Sequence, residues 1–327
     1  MNHPVLLLLA GLLLVIMGGD LFVSAAVRMA THLRLPKVVV GSTLVSLATT
    51  TPELVVSIMA GLRGESALAV GNAVGSCICN LGLILGVTAV LKNVEITIAT
   101  LRVPLLAMVG AGLLLLLATL DLELARWQGG VLVVLGIGYF AWDFWRHWRV
   151  RNCQDVAEAR AIQEAVTAAR WAWIETRAGT GAQFAAGALV AVLGSWLLVD
   201  GAVALASQLG IPPIIIGLTV VAAGTSLPEL VTAVSSARRS VSDLSVGNVL
   251  GANIANLTLI VGTAALFNTV ALDRTTQVFN FPVLLLFTGV VWWRLRTQQK
   301  LTHREGVGLL VMYALFLAVQ VVLALRS

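Results

Sequence analysis

Two carboxylates stand out for what precedes them. Glu53 closes the run Thr49-Thr50-Thr51-Pro52-Glu53, and Glu229 closes Thr225-Ser226-Leu227-Pro228-Glu229. Residues three and four apart share a helix face, so Thr49 and Thr50 project beside Glu53, and Thr225 and Ser226 beside Glu229. Proline has no N–H, so Pro52 deprives the Ala48 carbonyl of its helical donor, and Pro228 does the same to Gly224. Each cluster offers a carboxylate, hydroxyls and a bare carbonyl. These are hard oxygen donors, suited to Ca2+ or Na+ and unsuited to metals that prefer thiolate or imidazole.

A second pair of segments adds amides. Asn72, Ser76 and Asn80 are spaced four apart, and Asn248 and Asn256 recur on the same spacing, with Gly71, Gly75, Gly247 and Gly251 between them for close helix approach. Asn72 and Asn248 read equally as ligands or as interhelical hydrogen-bond partners, worth ~0.6–2 kcal/mol each. Asn80 and Asn256 read as ligands. Asp20 and Asp200 are weaker candidates: Asp20 suits a helix contact or an access path. Asp143 falls near the cytoplasmic boundary among Trp142, Trp145 and Trp148, and these tryptophans read as interfacial anchors.

The elements that must position these groups are apolar. The chain has 327 residues, 58% of them hydrophobic and only 11% charged, with a mean hydropathy of +0.94. Globular proteins carry roughly 25% charged residues. Apolar runs at about 4–31, 36–62, 66–91, 101–120, 126–148, 182–209, 212–237, 243–268, 278–295 and 305–325 are separated by charge. Most are long enough to cross a ~30 Å hydrocarbon core as helices. The prediction is an all-α membrane protein of ten transmembrane helices, multi-pass in a bacterial inner (plasma) membrane. A carboxylate in mid-span costs ~2.5–3.5 kcal/mol and needs a partner, so one in each half at matching depth points to function.

Charge gives the orientation. With ten alternating spans, 17 of the 21 Lys and Arg fall on one side, leaving Arg63, Arg126, Arg274 and Arg326 on the other. The positive-inside rule then puts both termini outside and the polar 149–181 segment in the cytoplasm, as an amphipathic linker helix. The net charge of +5 is thereby a topology signal and implies no nucleic-acid partner. Cys77 and Cys79 face different ways on a helix, and a bridge between them is not expected. The N-terminus lacks a basic lead and a small-residue cleavage site, and reads as the first membrane helix.

The chain repeats itself. Residues 23–86 align with 199–262 at a constant offset of 176 without a gap, and about 25 of 64 positions are identical. Five spans separate equivalent points, and an odd number forces the copies to cross in opposite directions. The expected organisation is two inverted-topology five-helix repeats, 1–148 and 182–327, joined by 149–181, with an ion site near the midplane between them.

GTSLPEL at 224–230, GNVLGANIAN at 247–256 and the first-half copies ATTTPEL and GNAVGSCICN resemble the alpha-repeats of the calcium/cation antiporter superfamily, most closely its bacterial sodium/calcium exchanger-like branch. The resemblance covers the whole ten-span layout. It implies that Glu53 and Glu229 bind Ca2+ and share in binding Na+, and that two gating helices slide to alternate access. It further implies ligand roles for Thr49, Thr50, Ser76, Asn80, Thr225, Ser226 and Asn256, together with backbone carbonyls. Members often carry aspartate where this chain has Asn80 or Asn256, serine where it has Ala252, and asparagine where it has Cys77. The first motif also has Ala48 for a usual glycine and Thr51 for an aliphatic residue. Two formal negative charges remain, which balance one Ca2+ or two Na+.

The expected activity is exchange of Ca2+ for Na+; Ca2+/H+ exchange on the same fold is the alternative, with the glutamates taking protons as Ca2+ leaves. A cation channel would need a continuous pore with weak, multiple sites, and fits less well. No nucleophile–base set, phosphate loop or cofactor motif supports an enzyme. Inorganic cations and the bilayer are the expected partners, with no cofactor and no protein partner, since a monomer can in principle transport.

Overall fold

The computed structural model describes residues 4–33, 35, 37–51, 53, 54, 57, 58, 66–95, 98–149, 176–209, 224, 226–239, 241–272, 274–298 and 300–324. The chain is mostly helical. In order come α1 (Pro4–Leu33), α2 (Lys37–Val40), a π-helical turn at Gly41–Val45, α3 (Ser46–Thr49), α4 (Ser66–Cys79), a π-helical turn at Asn80–Ile84, α5 (Leu85–Leu91), α6 (Ile98–Ala118) and α7 (Arg126–Arg149). The second half has α8 (Arg177–Gln208), α9 (Leu227–Arg238), α10 (Ser242–Ala255), a π-helical turn at Asn256–Ile260, α11 (Val261–Phe267), a π-helical turn at Thr276–Asn280, α12 (Phe281–Gln298) and α13 (His303–Ala324).

Among the described residues, seven helices are long and apolar enough to cross a membrane. α7, at 24 residues, has the length but is not among these apolar seven. The runs at 36–62 and 212–237 lie partly outside the described residues, as does most of the 149–181 segment, including Cys153. Cys77 and Cys79 are buried free thiols.

The elements recur at the sequence offset. The π-helical turn that starts at Asn80 matches the one at Asn256, and both are followed by a seven-residue helix that ends in extended backbone, at Lys92 and Asn268. Two short antiparallel strand pairs link the halves. β1 (Val94–Glu95) pairs with β4 (Lys300–Leu301), and β2 (Glu123–Leu124) pairs with β3 (Val270–Ala271). Each pair takes one strand from either half, and α6 separates β1 from β2.

α1 and α8 pack along one another over most of their length. A Cβ on Gly187, Gly194 or Gly201 would stand 2.6–2.8 Å from the backbone of Phe22, Val15 or Leu8, so the helices run antiparallel at backbone contact. The core lies elsewhere, around α4, α5, α10 and α11, where Ile78, Leu81, Ile84, Leu250, Ile254 and Leu257 are sealed from solvent.

Candidate cation site

Each glutamate stands just after a break in its helix. Thr50 (φ −79°, ψ 4°) ends α3, and its repeat equivalent Ser226 (φ −89°, ψ 11°) precedes α9. Both sit in the bridge region, where a helix interior does not go. The break thus falls two residues ahead of each proline; Pro228 lies in the first turn of α9, and Pro52 is outside the described residues. The chain resumes helical hydrogen bonding at once, from Leu54 N to the Thr50 carbonyl (3.0 Å) and from Leu230 N to the Ser226 carbonyl (3.1 Å).

Glu53 and Glu229 are 1% and 0% exposed. Ser226 donates its hydroxyl to Glu53 Oε1 across the halves, at 3.4 Å. Glu53 of the first half thus lies beside the hydroxyl residue that precedes the Glu229 helix. Among the described residues, nothing hydrogen-bonds Glu53 Oε2 or either carboxylate oxygen of Glu229, and all three are buried. Three orphaned carboxylate oxygens at one place are unstable as they stand: a buried acceptor without a donor costs more than most bonds contribute. A bound cation is the natural partner.

The neighbouring groups have the same character. Ser76 Oγ, Asn80 Oδ1 and both amide atoms of Asn256 are buried, and among the described residues only the Cys77 thiol stands by as a weak partner, to Asn256. Thr50 donates its hydrogen to the Ser46 carbonyl (2.8 Å), which leaves its lone pairs free. Thr49 Oγ1 lies 3.2 Å from Asn248 Oδ1 and 3.3 Å from the Ser46 carbonyl. Ala48 is half-buried and Gly224 buried, while Thr225 lies outside the described residues. Asn80 and Asn256 each begin a π-helical turn, a widened geometry often found at functional positions.

Close packing between the halves brings these groups together. A Cβ on Gly247 would stand 2.2 Å from the Val38 carbonyl oxygen, and one on Gly251 would stand 2.2 Å from that of Ser42. Any side chain there would push α10 away from the helix that carries Thr49 and Thr50. Asn248, between these glycines, accepts from Thr49 and so acts as an interhelical partner.

Two polar contacts were not legible in the sequence, and a third, at Asp20, is the helix contact the sequence offered. Asn253, absent from the motif reading, accepts a hydrogen bond from Asn80 Nδ2 at 2.9 Å. Asp143 is 1% exposed; it accepts from Ser42 Oγ at 3.4 Å and lies 3.5 Å from His147 Nδ1, so it is a buried tie between α7 and the Gly41–Val45 turn. Asp20 accepts from Ser235 Oγ (2.5 Å) and pairs with Arg239 (3.7 Å), tying α1 to the helix that bears Glu229.

Buried hard-oxygen donors shared between two halves of an apolar helical bundle have the chemistry expected of a membrane cation transporter. The sequence matches the family described as sodium/calcium exchanger protein over residues 3–145 and 180–322, and the chain belongs to that family. It is a multi-pass membrane protein. It is 32% identical over 315 residues to the inner membrane protein YrbG of Escherichia coli K12, covering 93% of this chain and 92% of that one. It is 30% identical to the sodium/calcium exchanger MaX1 of Methanosarcina acetivorans, covering 96% and 97%. Among solved structures, the sodium-calcium exchanger NCX_Mj superposes with a TM-score of 0.81 at 27% identity, over 97% of this chain and 99% of that chain.

Proposed function

We propose that the chain exchanges Ca2+ for Na+ by alternating access at a midplane site built on Glu53 and Glu229. The observation that carries this is the set of three buried, unpartnered oxygens on two glutamates from opposite halves, with Ser226 of one half reaching Glu53 of the other. Ser76, Asn80, Asn256, Thr49, Thr50, Thr225 and Ser226, with the carbonyls of Ala48 and Gly224, supply the remaining oxygens. Ca2+ takes 6–8 such ligands at about 2.3–2.6 Å. Two carboxylates neutralise one Ca2+, so the ion crosses as a neutral complex in a medium that penalises net charge.

The architecture that serves this is ten spans in two inverted repeats, with both termini outside and 149–181 in the cytoplasm. The strand pairs support it. Residues 94–95 and 300–301 meet at one end of α6, and residues 123–124 and 270–271 meet at the other. These are the two sides to which alternation assigns them. The antiparallel α1–α8 contact, made by the first span of each half, supports inversion. Access alternates as that tightly packed pair shifts against the centre.

The test is 45Ca2+ uptake into proteoliposomes, under an imposed Na+ gradient and separately under a proton gradient. Uptake driven by Na+ in wild type and lost in Glu53→Gln is the expected result. Flux that ignores Na+ and follows pH assigns Ca2+/H+ exchange, which Ala252 and the Asn256 amide favour by removing a hydroxyl and a charge from Na+ ligation. Flux without any coupling gradient indicates a channel.

A further inference from the structure

Asn253 and Cys77 occupy equivalent positions in the two halves, by the 176-residue offset, and both are fully buried. They do different things. The Asn253 amide nitrogen donates to the Cys77 backbone carbonyl (3.4 Å) and points at the Met108 thioether (3.3 Å). Both of those groups can only accept. The Asn253 amide is therefore fixed with its nitrogen toward them and its oxygen toward Asn80. Asn80 must answer with its own N–H, which it does at 2.9 Å. Only Oδ1 of the Asn80 amide is then left over, buried and without a protein partner. An amide held this way must offer an oxygen to whatever comes next to it.

The other half lacks the device. The Cys77 thiol is directed to the Asn253 backbone carbonyl at 3.7 Å, and a thiol is a weak donor and weak acceptor. The Asn256 amide faces that thiol, and among the described residues neither Oδ1 nor Nδ2 of Asn256 has a stronger partner. Held only by a weak partner, the Asn256 amide can still turn either its oxygen or its NH2 toward a cation, and the second orientation repels it.

We propose that Asn253 is a positioning residue that holds the Asn80 oxygen toward the cation, and that Cys77 holds the Asn256 amide only weakly, so the two halves ligate the ion unequally. The proposal rests on Glu53 and Glu229 being the cation ligands. A residue that orients a ligand is worth about 10- to 100-fold in metal affinity.

Equilibrium 45Ca2+ binding to the purified full chain in detergent tests this without requiring transport, with the thermal transition of each variant recorded alongside. Asn253→Leu conserves bulk but offers no acceptor, and is expected to weaken Ca2+ binding by about 10- to 100-fold. Asn253→Asp, in its protonated form, keeps an O–H donor toward the Cys77 carbonyl and an acceptor for Asn80, and is expected to bind Ca2+ about as tightly as wild type. Cys77→Asn gives Asn256 a stronger partner and is expected to tighten binding by about three- to tenfold, the worth of one oriented contact at membrane depth. Wild-type affinity in Asn253→Leu, or equal weakening in the Leu and Asp variants, overturns the positioning role. Unchanged affinity in Cys77→Asn overturns the inequality. If Asn253→Leu does not fold, the other two variants decide. Absence of Ca2+ binding in wild type, or undiminished binding in Glu53→Gln, overturns the site itself, and the positioning role with it.

Discussion

The helices that carry the amides and the helices beside them are buried to very different extents. In the apolar stretches of the spans at Asp243–Phe267 and Ala69–Leu91, 83% and 72% of residues are buried, against 28% in each of those at Pro4–Leu33 and Arg177–Leu197. The first pair is held on all sides by packed side chains and by glycine contacts with the Val38–Ser42 backbone. The second pair packs closely on itself; one end of α1 also joins a buried cluster with Val40, Val45, Val241 and Leu244, and α1 meets α9 at Gly19–Val231 and through the Asp20, Ser235 and Arg239 contacts. A site that must discriminate ions needs fixed oxygens, and a part that must move needs a surface free to shift. In the proposed exchange cycle the first region supplies the fixed oxygens, and the second, with most of its surface outside the core, is the part that shifts.

Substitutions that attack the centre are expected to cost most. Glu53→Gln or Glu229→Gln removes half of the charge that balances Ca2+, and 45Ca2+ flux into proteoliposomes is expected to fall to background while the protein remains folded. Wild-type flux in either variant refutes the assignment. Gly251→Val comes next. Its side chain would meet the Ser42 carbonyl, which is backbone and cannot swing aside. A loss of about 1–3 kcal/mol of stability is expected, as in other overpacked interiors. A melting temperature unchanged from wild type would show that α10 and the Ser42 helix do not approach this closely.

Smaller effects separate the ions. Thr49→Ala and Ser76→Ala each remove one neutral oxygen and are expected to weaken the Na+ dependence of Ca2+ flux more than Ca2+ affinity itself. Equal losses for both ions would mean that these hydroxyls do not distinguish them. The double change Ala252→Ser with Asn256→Asp restores a hydroxyl and a charge, and is expected to raise apparent Na+ affinity or steepen the Na+ curve. An unaltered curve removes these positions from coupling. The smallest effect belongs to the flanking pair. Asp20→Asn weakens a partly exposed ion pair worth about 0–1 kcal/mol. The expected change is at most about fivefold in maximal exchange rate, with Ca2+ affinity intact. A shift in affinity instead would join Asp20 to the site and blur the division.

Much of the centre was readable because it is written in short-range spacing. Thr49, Thr50 and Glu53 are one helical turn apart, Ser76 and Asn80 likewise, and the second half repeats the pattern. Burial of both glutamates followed from apolar flanks. What escaped depends on contacts between distant segments. Asn253 stands three residues before Asn256, and nothing local marks it as the holder of Asn80 in the other half. Asp143 sits in a tryptophan-rich stretch that reads as an interface, and its burial needs Ser42, a hundred residues away. The proline signal located the helix breaks to within two residues, but the turn itself falls on Thr50 and Ser226, where a hydroxyl residue takes the bridge conformation.

The strand pairs also govern the order in which the molecule can be completed during synthesis. β1 is made in the first third of the chain, but its partner β4 is followed only by the last helix. At ~5–20 residues per second, β1 waits on the order of ten seconds or longer with its edge unpaired. β2 waits somewhat less for β3. The ends of α6 are therefore fastened only after most of the second half has entered the membrane. A first half produced alone lacks both partner strands, so neither end of α6 is fastened in it.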